Sequence, residues 1–368
     1  MSNDAPDAPA AVTPEAIYDL RRRLDGYRPA RVAAAPGWSR GVPLDYLGVL
    51  VEYWRTHYDW TVHEDRIRRL PWVIAGGEHK LRLVHQRVGA EAPTLVLLHG
   101  WPDSILRFDR ILPELADVNL VIPALPGFPF ALPLPDGGLG SVAMATLVGE
   151  ALEDLGYPRY TLSAGDIGCD VAEALAAQRR AEVASLHVTD ISQIHYLVNP
   201  PTDLSETELA YTRHGTDWQR REGGYMHEQA TKPQTIAVPL SDSPVGLAAW
   251  ILEKLHGWTD CGNDVESVFS RDELLTWISA YWFDGCIGTS FEPYTVGADM
   301  NWAPITAPTA ATIFPKDLVN APREFAERYF DIRWWREFDH GGHFAAFEHP
   351  ADYLTGVRAA LELAEQNQ

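Results

Sequence analysis

Between Thr94 and Asp190 the chain alternates short apolar runs with segments of helical periodicity, and few folds accommodate that rhythm. "TLVLLHG" (94–100), "NLVIPALPG" (119–127), "YTLSAGD" (160–166) and "SLHVTD" (185–190) are each closed by turn-forming residues. Strands that are apolar on both faces belong in the middle of a parallel sheet, because crossover helices cover both sides. Two helical patterns supply the crossovers, "SVAMATLVGEALEDLGY" (141–157) and "CDVAEALAAQRR" (169–180). The expectation is an α/β fold with a mostly parallel central sheet flanked by helices.

The rhythm stops after Asp190 and returns at "TAATIFP" and "DIRWWREFD", before a closing helix, "HPADYLTGVRAALELAEQ". Residues 191–304 carry helical stretches such as "GLAAWILEKL" and "RDELLTWISAYWF", so they read as a helical cap inserted between core segments 91–190 and 305–368. Residues 13–90 mix helical patterns with segments punctuated by Trp and Pro, as expected of an N-terminal arm wrapped on a larger body. Residues 1–12 have neither the basic nor the apolar region of a signal peptide and read as a disordered leader.

A net charge of −21 argues against nucleic acid and anionic membranes as partners. No run approaches the roughly 20 apolar residues of a membrane span. Cys169, Cys261 and Cys286 show no CxxC spacing. They read as idle thiols of a cytoplasmic protein, with neither a metal site nor a disulfide. Homodimerisation is compatible with all of this.

The chemistry concentrates at "TLSAGDIGCDVA" (161–172), a strand, a turn of small residues and a helix. Ala164, Gly165 and Gly168 allow strand and helix to approach while the apex side chain stands free. That apex is Asp166, where such turns usually present a serine nucleophile. A capping aspartate is the plainer reading of any strand–Asp–helix junction. Three other segments weigh against it. "LLHGWPDS" after the first strand resembles the α/β-hydrolase loop that turns a backbone N–H into the site; here that N–H is Trp101's, to be joined by Ile167's as an oxyanion hole. "FDHGGHFAAFEHP" offers His343 as the base, while His340 and His349 are read as structural. "IFPKDLVNAP" offers Asp317 to orient His343.

These motifs together resemble the microsomal-type epoxide hydrolases of the α/β-hydrolase superfamily, from about Asp19 to Pro350. "GVPLDYLGVLVEYWRTHYDW" is similar to that family's N-terminal domain, and "HGWP", "AGDIG" and "GGHFAAFEHP" to its oxyanion, nucleophile and histidine motifs. Two cap strings, "GGYMHEQATKPQTIAVPLSDSPVGLAAWILEK" and "YWFDGCIGTSFEPY", each align with a segment that holds a catalytic tyrosine. The resemblance carries those roles to Tyr225 and Tyr294. It implies a hydrolase without a metal or organic cofactor that converts a hydrophobic or aromatic epoxide and water into a vicinal diol. A carboxylate, with a reference pKa of about 3.9, attacks without a base. The resulting ester on Asp166 would then be cleaved by water that His343 activates.

Trp101, Ile167, Phe128 and Phe130 are expected to line the pocket, and Trp250, Trp277 and Trp282 in the cap favour a hydrophobic or aromatic substrate, while core packing accounts for these tryptophans equally well. The family usually has Trp where Ile167 stands, a glycine where Pro129 stands, and in some members Glu where Asp317 stands. These departures point to an unusual substrate, such as one of bacterial secondary metabolism. Competing readings are an epoxide-opening cyclase and a haloalkane dehalogenase-like hydrolase, whose halide donor Ile167 cannot supply. A non-catalytic binding protein would be expected to have lost Asp166 or His343.

Overall fold

The computed structural model describes residues 5–33, 35–134, 138–198, 200–295 and 302–367. Eight strands form one sheet: β1 (Trp72–Gly76), β2 (Lys80–Gln86), β3 (Thr94–Leu98), β4 (Asn119–Pro123), β5 (Tyr160–Ala164), β6 (Val183–Val188), β7 (Ile305–Ile313) and β8 (Phe330–Glu337). Their order is β1-β2-β4-β3-β5-β6-β7-β8. From β4 to β8 every pairing is parallel, while β2 pairs antiparallel with both β1 and β4. β3, β4, β5 and β6 are buried at every position, the outcome their unbroken apolar runs call for.

The segment read as an arm contributes more than a wrapping. Its β1–β2 hairpin, turning at Gly76 (φ +130°), forms the antiparallel edge of the sheet. Its helices reach the other side of the molecule. Helix Pro14–Asp25 packs on cap helix Pro244–Gly257. Tyr53 donates to Asp272 Oδ1 at 2.9 Å, Tyr58 hydrogen-bonds to Thr276 at 3.1 Å, and Arg23 pairs with Asp242 at 3.0 Å. The arm therefore ties sheet edge to cap.

The expected disordered leader is corrected for residues 5–12; residues 1–4 lie outside the described residues. Asp7 accepts from the Ile74 N–H at 3.2 Å and from Arg82 at 3.0 Å, Pro9 accepts from Arg68 at 2.7 Å, and the Val12 N–H donates to Glu64 at 2.6 Å. Pro6 and Pro9 lower the entropy lost on docking, and the segment covers an edge strand whose N–H groups need acceptors.

Between β6 and β7 lie seven α-helices of the described residues, from Ile194–Leu197 to Glu292–Thr295. No single described helix is long and apolar enough to cross a membrane. All three cysteines are buried as free thiols.

Candidate active site

The parallel strands all point their C-terminal ends the same way, and open α/β sheets bind ligands at that edge. β3 leads there to Trp101, β5 to Asp166, β6 to Asp190, β7 to Asp317 and β8 to His343. Residues scattered over two-thirds of the chain thus converge.

Asp166 stands between β5 and helix Ile167–Gln178 with φ 57° and ψ −138°, a conformation costly for any residue with a Cβ. Its side chain makes no capping bond to that helix, so the plain reading as a cap does not hold. The carboxylate points outward, and Oδ1 accepts from the Trp101 N–H at 2.8 Å.

The glycines around it leave no slack. A Cβ on Gly168 would lie 2.4 Å from the Leu98 carbonyl oxygen, and one on Gly165 would lie 2.6 Å from Thr189 Oγ1. A Cβ on Gly100 would lie 2.3 Å from Asp166 Oδ1 itself. Gly100→Ala is therefore expected to push the carboxylate out of line and lower turnover on the order of 10²-fold, the cost of a misplacement of about 1 Å. Initial rates and a melting curve of the same preparation would separate this from unfolding.

His343 is fully enclosed. Its Nδ1 lies 2.7 Å from Asp317 Oδ1, and its Nε2 lies 3.3 Å from Asp166 Oδ2. Burial alone would lower the imidazole pKa, but the Asp317 and Asp166 carboxylates outweigh it and push it up to about 10. Asp317 is correspondingly lowered: burial works against its charge, and His343 together with the Leu318 N–H prevails. The carboxylates on either side thus favour the protonated form of the imidazole between them.

Its loops are pinned from below by residues that no sequence motif singled out. Arg107, buried, pairs with Asp103 and donates to the His343 carbonyl. Asp103 also accepts from the Gly100 N–H at 2.8 Å. Despite burial, Arg107 holds Asp103 down to about 2. The His343 N–H donates to Trp258 of the cap at 2.8 Å, and Glu348 accepts from Asp260 and Phe344. The only cue was their nearness to recognised motifs: Asp103 lies within "HGWPDS" and Glu348 within "HFAAFEHP".

Tyr225, on helix Gly224–Thr231, and Tyr294, on helix Glu292–Thr295, come together over the carboxylate, with ring centroids 6.1 Å apart at 80°. The Trp101 ring stacks on Tyr225 at 5.3 Å and meets Tyr294 edge-on at 6.0 Å. Lys254 Nζ lies 4.5 Å from the centroid of the Tyr225 ring. Burial, then Asp166, raises the Tyr225 phenol well above its usual range, and a hydrogen bond with Tyr294 opposes the rise. Tyr294 is raised by burial, then by Tyr225 and Asp166. Both phenols are neutral donors.

Asp166, Tyr225 and Tyr294 line one cavity of 240 Å³ together with the apolar Ile167, Ile194, Leu197, Val198, Met226 and Leu318 and the polar Asp170, Asp190, Ser192 and Gln193. Ile167 takes its expected place. Phe128 and Phe130 do not: they pack on His99 (5.2 Å) and Trp72 (6.2 Å), outside the cavity. Proximity in sequence to the pocket loop was misleading, because Phe130 turns away at φ 69° with its N–H tied to Asp284. Trp101 lies beneath the tyrosines rather than in the wall, its ring already covered by theirs. Trp250, Trp277 and Trp282 are also absent from the lining; Trp277, for one, packs on Phe269, Phe344 and Phe347. The cap tryptophans therefore lend no support to an aromatic substrate.

His340 lies between Asp339 (2.7 Å) and Asp352 (2.8 Å), 4.4 Å between ring centroids from His349, as a surface ion-pair cluster away from the cavity.

Residues 7–108 match the family described as epoxide hydrolase N terminus, and residues 93–232 match the alpha/beta hydrolase fold. The chain is 36% identical over 364 residues to a protein of Stigmatella aurantiaca named "Putative epoxide hydrolase", covering 95% of this chain and 82% of that protein. It is 29% identical to epoxide hydrolase 1 of Sus scrofa, over 96% of this chain and 87% of the other. The solved epoxide hydrolase of Aspergillus niger superposes with a TM-score of 0.83 at 26% identity, covering 100% of this chain and 99% of that one.

Proposed function

Because this chain belongs to the epoxide hydrolases, enzymes acting on ether bonds, we propose that it opens a hydrophobic epoxide through an ester on Asp166 and releases a vicinal diol. The observation that carries this reading is the cavity that brings the Asp166 carboxylate, held by the Trp101 N–H, together with two neutral phenols.

The two carboxylate oxygens have different duties. Oδ1 is held by the Trp101 N–H, so Oδ2 attacks the ring carbon. The C–O bond of the epoxide breaks, and the alkoxide takes a proton from the tyrosine pair. The phenols must be donors here, because an alkoxide leaving group is far more basic than a phenol of pKa about 10. The tyrosine that gave its proton recovers one before the cycle closes.

Forming the ester removes the negative charge of Asp166. His343 then keeps Asp317 but loses the charge of Asp166, and its pKa falls. The protonated histidine of the resting site becomes a base only after alkylation, when its proton passes through water to the tyrosinate that ring opening left. Its Nε2 deprotonates a water that attacks the ester carbonyl, and the Trp101 N–H, joined by that of Ile167, holds the oxyanion on Oδ1. Collapse of the tetrahedral intermediate breaks the bond to the alkyl group, the diol oxygen takes the proton from His343, and the carboxylic acid left on Asp166 returns its proton to the imidazole.

A single turnover in H₂¹⁸O tests this route. The label is expected in the Asp166 carboxylate and absent from the first-formed diol; label appearing directly in the diol would mean that water attacks the epoxide itself. Tyr225→Phe with Tyr294→Phe is expected to slow ester formation on the order of 10²–10⁴-fold, each single change less, as read by rapid-quench mass spectrometry.

A further inference from the structure

Asp190 lies beside the nucleophile and has no part in the steps above. It follows β6, which pairs with β5 up to Val188 and Ala164, just before the nucleophile turn. Beyond that point the Asp166 N–H has no ladder partner, and it donates instead to Asp190 Oδ1 at 3.1 Å. The same oxygen accepts from the Cys169 thiol at 2.7 Å. One carboxylate oxygen thus bridges the apex of the strained turn and the first turn of the following helix. Buried N–H groups need such an acceptor, and a backbone at φ 57° persists only where its surroundings fix it.

We propose that Asp190 is a positioning residue that holds the Asp166 turn in its attacking geometry through these two bonds, and that its charge opposes the second half-reaction. The proposal rests on the reading of Asp166 as the nucleophile.

The charge follows from the surroundings. Asp190 faces Asp317 and His343 from the loops after β7 and β8, Asp166 and Cys169 from the turn and its helix, and Asp170 one residue further along. Burial, then Asp317, raises its pKa to about 7 against the Cys169 hydrogen bond and His343. An ionised Asp190 sets a negative charge beside the ester carbonyl on which the oxyanion develops; a neutral one does not. Once Asp166 is esterified its repulsion is gone, so Asp190 ionises below its resting value of about 7, and ester hydrolysis is expected to slow as pH rises toward and through that value.

The sign for stability is the same. An acid whose pKa is raised by folding holds its proton in the folded state between about pH 4 and pH 7. The folded state loses stability across that window as pH rises.

The test is single-turnover reaction with 1,2-epoxyhexane, following alkyl–enzyme formation and decay by protein mass, with the adduct mapped by peptide analysis. Asp190→Ala is expected to slow ester formation on the order of 10²-fold. Asp190→Asn keeps the acceptor and is expected to recover most of that rate. It should also lose the fall in hydrolysis near pH 7, and melt higher than the wild type at pH 8 but not at pH 5. Wild-type alkylation in Asp190→Ala, an Asn variant as slow as the Ala one, or a pH 7 fall that survives in Asp190→Asn would each overturn the proposal. An adduct mapped in the wild type to a residue other than Asp166 would instead overturn the nucleophile assignment itself. Should Asp190→Ala not fold, the pH profile of Asp190→Asn decides alone.

Discussion

Asp166→Asn is expected to lower diol formation on the order of 10⁴–10⁶-fold, the scale on which loss of a covalent nucleophile is felt. The substitution is nearly isosteric and keeps an oxygen to accept from the Trp101 N–H, so the turn and the cavity should survive. Only the charge and the attacking lone pair are lost. That loss has a second readout. His343 is held up at about 10 by two carboxylates, and in the variant it retains Asp317 alone. Its pKa should drop, visible as a shifted titration of the imidazole by NMR. Turnover abolished with the histidine titration unchanged would mean that Asp166 and His343 are not coupled as their distance implies. Turnover retained would dismiss Asp166 as the attacking group.

His343→Gln separates the two half-reactions. On the route proposed above, ester formation uses Asp166 and the tyrosines, so alkylation should proceed; hydrolysis uses the base and should stall. An intact-mass increase equal to that of one epoxide, persisting for many wild-type turnovers, is the expected signature. The same variant should be unstable in a pH-dependent way. Asp317 is buried, and His343 is the main group keeping its pKa low. Without that partner burial raises the Asp317 pKa above its unfolded value, so the variant loses stability as pH rises through and above the ordinary carboxylate range. Breaking a buried pair in this way costs about 3–5 kcal/mol. Below about pH 6.5 the wild-type His343 contribution is constant, so thermal melts at pH 4 and pH 6 should show a larger deficit at the higher pH.

The core and the candidate site differed in how much their residues announced. β3, β4, β5 and β6 were legible because an apolar run closed by turn residues has one common use, burial in a parallel sheet. The turn at Asp166 was legible because its small neighbours are forced by sterics, as the close approaches at Gly165 and Gly168 demonstrate. The β1–β2 hairpin was not, since "WVIAG" lies between a proline and a glycine pair and resembles a linker. Asp190 looked like the end of a strand. Its two hydrogen bonds join residues 24 and 21 positions apart, which no local pattern records. The pocket wall was read wrongly where proximity along the chain replaced geometry, at Phe128 and Phe130.

The tie between arm and cap bears on how the protein is made. Tyr53 and its partner Asp272 are 219 residues apart. At roughly 5–20 residues per second on the ribosome, the arm waits roughly 11–44 s for the cap to be synthesised. During that interval the arm residues Leu20, Leu24, Leu50 and Trp54, almost wholly buried in the finished fold, have no completed cap to join. The nascent chain is therefore most exposed to aggregation just before its last third emerges, and a holding chaperone acting on residues 14–68 should improve yield more than one acting on the completed protein.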